Sequence, residues 1–145
     1  MIIVDTREQK TLDFREEVIH QKLDVGDYGY ELDGHILPLV FERKSGIDLF
    51  GTLTHDHERF KAELERARDN DIRLIVIIEN TYNSIKNKRF AGANYTKMKG
   101  SVIISIIHTI QLKYGIQFVF CSNRPEVASY IKDCFNSYLK VVKKA

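Results

Sequence analysis

Short apolar runs alternate along the chain with longer stretches in which apolar residues recur every three or four positions. Short runs predict strands, and the longer spacing predicts helices that bury one side. The predicted strands cover residues 2–5, 28–32, 35–44, 73–79 and 116–121. The predicted helices cover residues 12–23, 45–53, 57–70 and 97–114, with a last helix that opens at Pro125. This alternation predicts an α/β domain of three layers, in which helices cover both faces of a central mixed sheet.

Turn and capping residues set the boundaries of these elements. Val25-Gly26-Asp27 predicts a turn, and Asp33-Gly34 favours a tight hairpin between the second and third strands. Ser45 is a good N-cap for a short helix, and Gly115 is a good terminator for the helix that precedes it. Residues 81–96 lack clear periodicity and are expected to form a loop.

Length and composition narrow the class of protein. The 145 residues and 43% hydrophobic content fit one domain with a real core, and we expect a single domain over 1–145. The longest aliphatic run, Leu74–Ile78, is far too short to span a bilayer. Two cysteines provide neither a disulfide framework nor a zinc site. These features argue against secreted, membrane and zinc-finger proteins and predict a cytoplasmic protein.

Charge is divided unevenly along the chain. Residues 1–79 carry 11 Lys/Arg against 18 Asp/Glu, whereas residues 80–145 carry 11 Lys/Arg against two acids, Glu126 and Asp133. Such segregation suggests a protein that binds a polyanion and keeps its carboxylates for another purpose. Chance clustering of charge on solvated faces is the alternative.

Two carboxylates and a lysine stand at the ends of the predicted hairpin. Asp27 lies at its start, and Glu42 and Lys44 lie near the end of the returning strand. Side chains two positions apart on a strand share a face, and the hairpin would bring Asp27 towards Glu42. Such a site suits a hard divalent cation, Mg²⁺ or Mn²⁺. A surface ion pair between Lys44 and either acid is the structural alternative.

An acid on a hairpin, followed by acid-x-lysine on its second strand, is similar to the signature of the restriction-endonuclease-like nucleases. The longer pattern resembles the XPF family of structure-specific endonucleases. The matching segments are Val4-Asp5-Thr6-Arg7-Glu8, Leu23-Asp24-Val25-Gly26-Asp27-Tyr28, and Glu42-Arg43-Lys44 with Asp48 four positions on. The resemblance covers roughly residues 2–135 and implies a restriction-endonuclease-like core with a central mixed sheet.

The resemblance implies a role for each residue of the central motif. Asp27 and Glu42 would bind the metal, with the main-chain carbonyl of Arg43 as a third ligand. Lys44 would orient the attacking water and stabilise charge on the phosphate. Asp48 would support the site by holding Arg43 or Lys44.

The opening motif and the helix after the site carry further expectations. Asp5 and Glu8 would complete the acidic cluster, with Arg7 bracing it or touching a phosphate; the alternative is a purely structural ion-pair network. Family members usually have Gly-Arg and then glutamine on the helix that follows. Here Arg59 is the candidate for the phosphate-facing arginine, and Glu63 stands about where the glutamine is expected.

The acid-free segment favours DNA contact. Its cations are interleaved with aromatic residues, which stack on unpaired bases when they are exposed. The candidate DNA-binding residues here are Lys86, Lys88, Arg89, Tyr95, Lys97 and Lys99. The alternative is an ordinary basic loop with Phe90 in the core.

Many family members also carry a tandem helix-hairpin-helix module, and this chain ends before one. We therefore expect the grip on DNA to come from the domain itself, from a homodimer, or from a heterodimer partner. The 97–114 helix and the last helix are the expected dimer surface, although both could simply dock on the sheet. His55 and His57 invite a metal-site interpretation, but a solvated loop is the alternative.

The leading hypothesis is a Mg²⁺- or Mn²⁺-dependent endodeoxyribonuclease that hydrolyses phosphodiester bonds in branched, flapped or forked DNA during repair or recombination. A Holliday-junction resolvase or restriction-type nuclease with the same core is one alternative. A catalytically silent DNA-binding or scaffold subunit is the other. Such a subunit should have lost Asp27, Glu42 or Lys44, and all three are present.

Overall fold

The computed structural model describes residues 1–144, which form one mixed sheet with helices on both faces. The strands are β1 Ile2–Val4, β2 Ile19–His20, β3 Tyr28–Leu32, β4 His35–Ile36, β5 Leu39–Lys44, β6 Arg73–Ile78 and β7 Gln117–Phe120. The helices are α1 Gly46–Thr54, α2 His57–Asp69, α3 Tyr82–Lys86, α4 Gly100–Tyr114 and α5 Arg124–Lys144, and Ala93–Tyr95 form a 3₁₀ turn. The predicted three-layer α/β fold is confirmed.

Strand order follows from the hairpin and three parallel connections, β1 to β2, β5 to β6 and β6 to β7. The sheet runs β2-β1-β3-β5-β6-β7, and β4 pairs with β3 off this path. β1, β3 and β5 are antiparallel neighbours, whereas β5, β6 and β7 are parallel. β6 lies between β5 and β7 and has five buried residues in its aliphatic run, as predicted for a strand covered on both faces.

Each face of the sheet has its own hydrophobic core. Side chains of α1, α2 and α4 pack on one face, around Val40 and Val76. Side chains of α5 and of the segment between β1 and β2 pack on the other, around Phe41 and Ile77. No helix among residues 1–144 has the length and apolar character needed to cross a membrane.

The predicted helix over residues 12–23 is wrong. This segment is irregular apart from the two residues of β2. Leu12 and Phe14 alternate into the core, and Arg15 adopts a positive φ of 53° that interrupts any helix. The N–H groups of Leu12 and Leu23 donate to the buried side chains of Tyr28 and Asp5, so long-range contacts replace helical hydrogen bonds.

Other boundaries are confirmed or shifted. Ser45 caps α1, and α4 ends at Gly115, both as predicted. The predicted loop over 81–96 contains α3, capped by the Thr81 side chain, and the 3₁₀ turn. α4 begins at Gly100 rather than at residue 97, and the predicted strand 35–44 divides into β4 and β5.

Candidate active site

A register shift in the hairpin determines which residue faces Asp27. Near the turn, Leu32 pairs with His35 and Glu31 with Ile36, but further along Tyr28 pairs with Phe41. Two residues, 29 and 30, lie between these pairings on β3, whereas residues 37–40 lie between them on the returning chain. The extra length includes Pro38, which cannot donate a ladder hydrogen bond.

This shift by two positions keeps every side chain on its face and moves the pairing along the strand. One position beyond the pairing of Tyr28 with Phe41, Asp27 lies opposite Glu42. Without the extra residues, Asp27 would face Val40. The predicted convergence of Asp27 and Glu42 therefore depends on the irregularity at residues 38–40 as well as on the Asp33-Gly34 turn.

Main-chain hydrogen bonds fix Asp27 at the edge of β5. Its N–H donates to the carbonyl of Phe41 (2.8 Å), and its Oδ2 accepts the N–H of Arg43 (2.9 Å). Burial raises the pKa of Asp27 to about 7, the charge of Glu42 adds to this, and the hydrogen bond from Arg43 opposes it. Ionising this carboxyl is therefore costly without a nearby positive charge.

Glu42 is 9% exposed and lies beside Lys44. The Nζ of Lys44 is 3.4 Å from Oε2 of Glu42, an ion-pair distance, but Oε2 accepts no hydrogen bond from the protein. Burial raises the pKa of Glu42 well above its usual range, Lys44 opposes the rise, and the neighbouring carboxyl of Glu63 adds to it. The Lys44 ammonium also lies 5.5 Å from the centre of the Phe60 ring on α2.

Glu63 is a site residue that the sequence analysis noted without including it in the candidate site. It projects from α2 beside Glu42, and its Oε1 is buried with no hydrogen-bond partner in the protein. A signal was available, because Glu63 lies three residues after Phe60 and four before Ala67, which are both buried on the inner side of α2. An acid on that side of the helix must face the sheet.

Arg43 faces the opposite side of β5 from Glu42 and Lys44. Its Nε donates to Oε1 of Glu79 at 2.8 Å, a partner that the sequence analysis did not identify. Asp48 does not hold Arg43 or Lys44 as expected. It forms a capping box with Ser45 instead, in which its N–H donates to Oγ of Ser45 (3.2 Å). Arg43 and Asp48 line an open cleft of about 480 Å³ together with Arg7 and Glu8.

Asp5 and Arg7 form an ion pair with Nε and Oδ2 2.8 Å apart, and their catalytic role stays a prediction. Asp5 is 1% exposed and accepts the Nε–H of Arg7 (2.8 Å) and the N–H of Leu23 (2.7 Å). Burial opposes ionisation, but these hydrogen bonds outweigh it and lower the pKa of Asp5. Arg7 also donates to the carbonyl of Leu23 (2.9 Å), so the pair ties β1 to the segment that leads into Asp27. Glu8 belongs to the acidic cluster, since its charge raises the pKa of Asp27.

The donor set fits a hard cation. Asp27 and Glu42 supply carboxylate oxygens that are costly to ionise alone, and Oε2 of Glu42 has no hydrogen bond to lose. Carboxylate and carbonyl oxygens are the ligands that Mg²⁺ and Mn²⁺ prefer. Within residues 1–144, no three His, Cys, Asp or Glu side chains are grouped so as to hold a metal ion by themselves. Asp27 and Glu42 could therefore bind an ion with the Arg43 carbonyl and water completing its shell.

The basic segment packs against α1, the helix that starts directly after the site. Phe90 lies on Phe50, with ring centres 5.2 Å apart, so its core position is the predicted alternative. The Nζ of Lys88 donates to the carbonyl of Thr96 at 2.7 Å, so this candidate DNA-binding group already has a partner within the protein. The exposed members of the candidate DNA-binding set are Arg59, Lys86, Arg89, Tyr95, Lys97 and Lys99.

The two histidines of the α1–α2 turn are solvent-exposed. His57 lies 3.1 Å from a carboxylate oxygen of Glu58, and its Nδ1 lies 3.0 Å from the carbonyl of Thr54. These local contacts match the expected solvated turn.

A mixed sheet with helices on both faces, whose hairpin brings two acids and a lysine together, has the restriction-endonuclease-like α/β fold. The chain belongs to the ERCC4 domain family, a family of DNA endonucleases, whose model matches residues 4–134. No curated protein matches the chain in sequence.

Two solved structures have a similar fold. XPF from Aeropyrum pernix has a TM-score of 0.71 at 20% identity, and the match covers 99% of this chain and 69% of that chain. XPF from Aeropyrum pernix in complex with DNA has a TM-score of 0.68 at 20% identity, with 96% and 64% covered. The chain thus spans about two thirds of the length of these XPF chains.

Proposed function

We propose that this protein is a metal-dependent DNA endonuclease that hydrolyses phosphodiester bonds at branched, flapped or forked DNA in repair or recombination. The observation that carries the proposal is the position of Asp27 opposite Glu42, with Lys44 on the same face of β5. The bound DNA in a structure of similar fold supports DNA as the partner. The protein would act inside the cell, at DNA.

The proposed chemistry assigns each group a task. Asp27, Glu42 and the Arg43 carbonyl would hold Mg²⁺ or Mn²⁺, which polarises the scissile phosphate and lowers the pKa of bound water. Lys44, held between Glu42 and Phe60, would orient the attacking water and stabilise charge on the phosphate. The water oxygen would bond to phosphorus as the bond to the leaving oxygen breaks. The water would give up a proton to solvent, and the leaving oxygen would take up a proton from solvent.

Surface charge and apolar exposure support the proposed partners. Arg59, Lys86, Arg89 and Lys99 are exposed and would neutralise phosphates. A homodimer or heterodimer would use the apolar side chains that α4 and α5 leave exposed. These are Val102, Leu112, Val141 and Val142.

Cleavage of labelled fork, flap and plain duplex DNA with Mg²⁺, Mn²⁺ or EDTA tests the proposal. We expect cation-dependent cutting that favours the fork or flap, and its loss in Asp27→Asn. The matched control is Asp24→Asn, an exposed carboxylate three residues away, which should cut like the wild type. A folded wild-type protein that binds forks and cuts none of these substrates with either cation would overturn the proposal in favour of a silent scaffold.

A further inference from the structure

A groove of about 550 Å³ runs between α1 and the residues that precede α4. Ile47, Phe50, Gly51 and Thr54 line its α1 side, and Tyr95 and Met98 line the other. The space above Gly51 is open, because a Cβ built there would meet no atom within 4 Å. The groove therefore combines an apolar floor with free space above a helix.

The loop on the far side of the groove is braced so that Tyr95 points outward. Gly92 adopts a φ of +86°, and a Cβ there would collide with Ile47. The N–H of Tyr95 donates to the carbonyl of Gly92 (3.0 Å), and Lys88 holds the carbonyl of Thr96 (2.7 Å). The Tyr95 ring remains 87% exposed at the mouth of the groove. Because these bonds hold the main chain at Tyr95, little backbone freedom is lost when a flat ligand stacks on the ring.

The charge around the groove selects an anionic ligand. Lys97 lines it, and no Asp or Glu occurs between residues 80 and 125. Lys86, Arg89 and Lys99 are exposed in the same segment. A groove with an apolar floor, an exposed aromatic ring at its mouth and a lysine in its lining is the combination that binds the bases and phosphates of a single strand.

We infer that this groove binds an unpaired nucleobase of single-stranded DNA, stacked on Tyr95, with the adjoining phosphate near Lys97. The inference rests on the proposed function and names its substrate class, DNA with a single-stranded arm. α1 joins the groove to the candidate active site, since it begins directly after Lys44 and its nine residues extend roughly 14 Å. A strand held in the groove thus lies a few nucleotides from Glu42.

Fluorescence anisotropy in EDTA tests this inference without any cleavage. The ligands are labelled dT15, rU15, an abasic strand of equal length, and duplex DNA. The variants are Tyr95→Ala, Gly51→Leu and the control Tyr95→Phe. Gly51→Leu should fold, because its new side chain enters open space. We expect Tyr95→Ala and Gly51→Leu to weaken dT15 binding about fivefold or more, the loss typical of one stacked base. Binding of the abasic strand and duplex should not change, and Tyr95→Phe should bind dT15 like the wild type.

Three results would overturn the inference. The first is that Tyr95→Ala and Gly51→Leu both bind dT15 with wild-type affinity. The second is that these variants lose as much affinity for the abasic strand as for dT15. The third is that the wild type binds rU15 more tightly than dT15. The test is separable from that of the proposed function. If the protein binds dT15 through Tyr95 but cuts no DNA, only the proposed nuclease activity is contradicted. If it cuts DNA with a metal but does not bind dT15 through Tyr95, only the proposed base-binding groove is contradicted.

Discussion

At the scale of single residues, the metal-free protein is expected to resist ionising Asp27. Its pKa is about 7 in the folded protein, against about 4 for an ordinary aspartate. Between these values the folded state binds more protons than the unfolded state. The resulting stability is complete below about pH 4 and is lost as pH rises through 7.

Urea unfolding in EDTA at pH 5 and pH 8 measures this loss. From pH 5 to pH 8, the free energy of unfolding of the wild type should fall by about 2 kcal/mol more than that of Asp27→Asn. This figure uses about 1.4 kcal/mol for each pKa unit and allows for partial relaxation of the site. The Asp24→Asn control should keep the wild-type dependence. An equal change in the free energy of unfolding between pH 5 and pH 8 for the wild type and Asp27→Asn would contradict the raised pKa of Asp27.

Glu63 offers a second residue-scale prediction. Glu63→Gln removes a neighbouring carboxyl that raises the pKa of Glu42, and the new amide can donate to Oε2 of Glu42. Carbon-detected NMR titration should therefore show a lower pKa for Glu42 in Glu63→Gln. Glu58→Gln, on the exposed side of the same helix, should leave it unchanged. An unchanged Glu42 titration in Glu63→Gln would mean that the two carboxyls do not interact.

Sequence reasoning identified the central residues for a physical reason. Glu42 and Lys44 share a face because strand side chains alternate, and a hairpin necessarily returns near Asp27. The exact pairing was not predictable, since it depends on the register shift at residues 38–40. The partner of Arg43 was equally unpredictable. The sequence suggested Asp48, but the partner is Glu79, and choosing it requires knowing that β6 ends beside the end of β5.

At the scale of elements, α4 can begin where it does only because residue 100 lacks a side chain. A Cβ on Gly100 would collide with the carbonyls of Ile85 and Lys86 at the end of α3. We expect Gly100→Ala to destabilise the protein by about 2 kcal/mol in chemical denaturation, as overpacking against rigid backbone does. Gly51→Ala is the matched control and should stabilise α1 by about 0.5–1 kcal/mol. Similar stabilities for the two variants would contradict this packing.

The elements that were predicted correctly are those whose type and bounds follow from their own local sequence. β6 is a continuous aliphatic run, and α1 carries its own cap. The segment 12–23 failed because its apolar spacing fitted a helix, whereas the partners of its N–H groups are the distant side chains of Asp5 and Tyr28. A local pattern contains no information about such partners.

At the scale of the whole molecule, the two halves of the charge distribution meet along α1. Acids of the first half form the candidate active site, and Lys97 of the second half lines the groove. We expect Arg89→Ala and Lys97→Ala each to reduce the slope of log affinity for DNA against log salt by about 1. Anisotropy titrations at several salt concentrations measure this slope. Lys140→Ala, on α5 across the sheet, is the control and should leave the slope unchanged. An unchanged slope in Arg89→Ala and Lys97→Ala would contradict the proposed phosphate contacts.

The most direct test of the central claim is calorimetric titration of Mn²⁺ into the DNA-free protein at pH 8, above the pKa of Asp27. If Asp27 and Glu42 form a cation site, wild type and Asp24→Asn should bind Mn²⁺ saturably and with similar affinity. Asp27→Asn should bind it about tenfold more weakly or not at all, as expected for a damaged metal site. Equal Mn²⁺ affinity in all three proteins, or no binding to the wild type, would contradict the account.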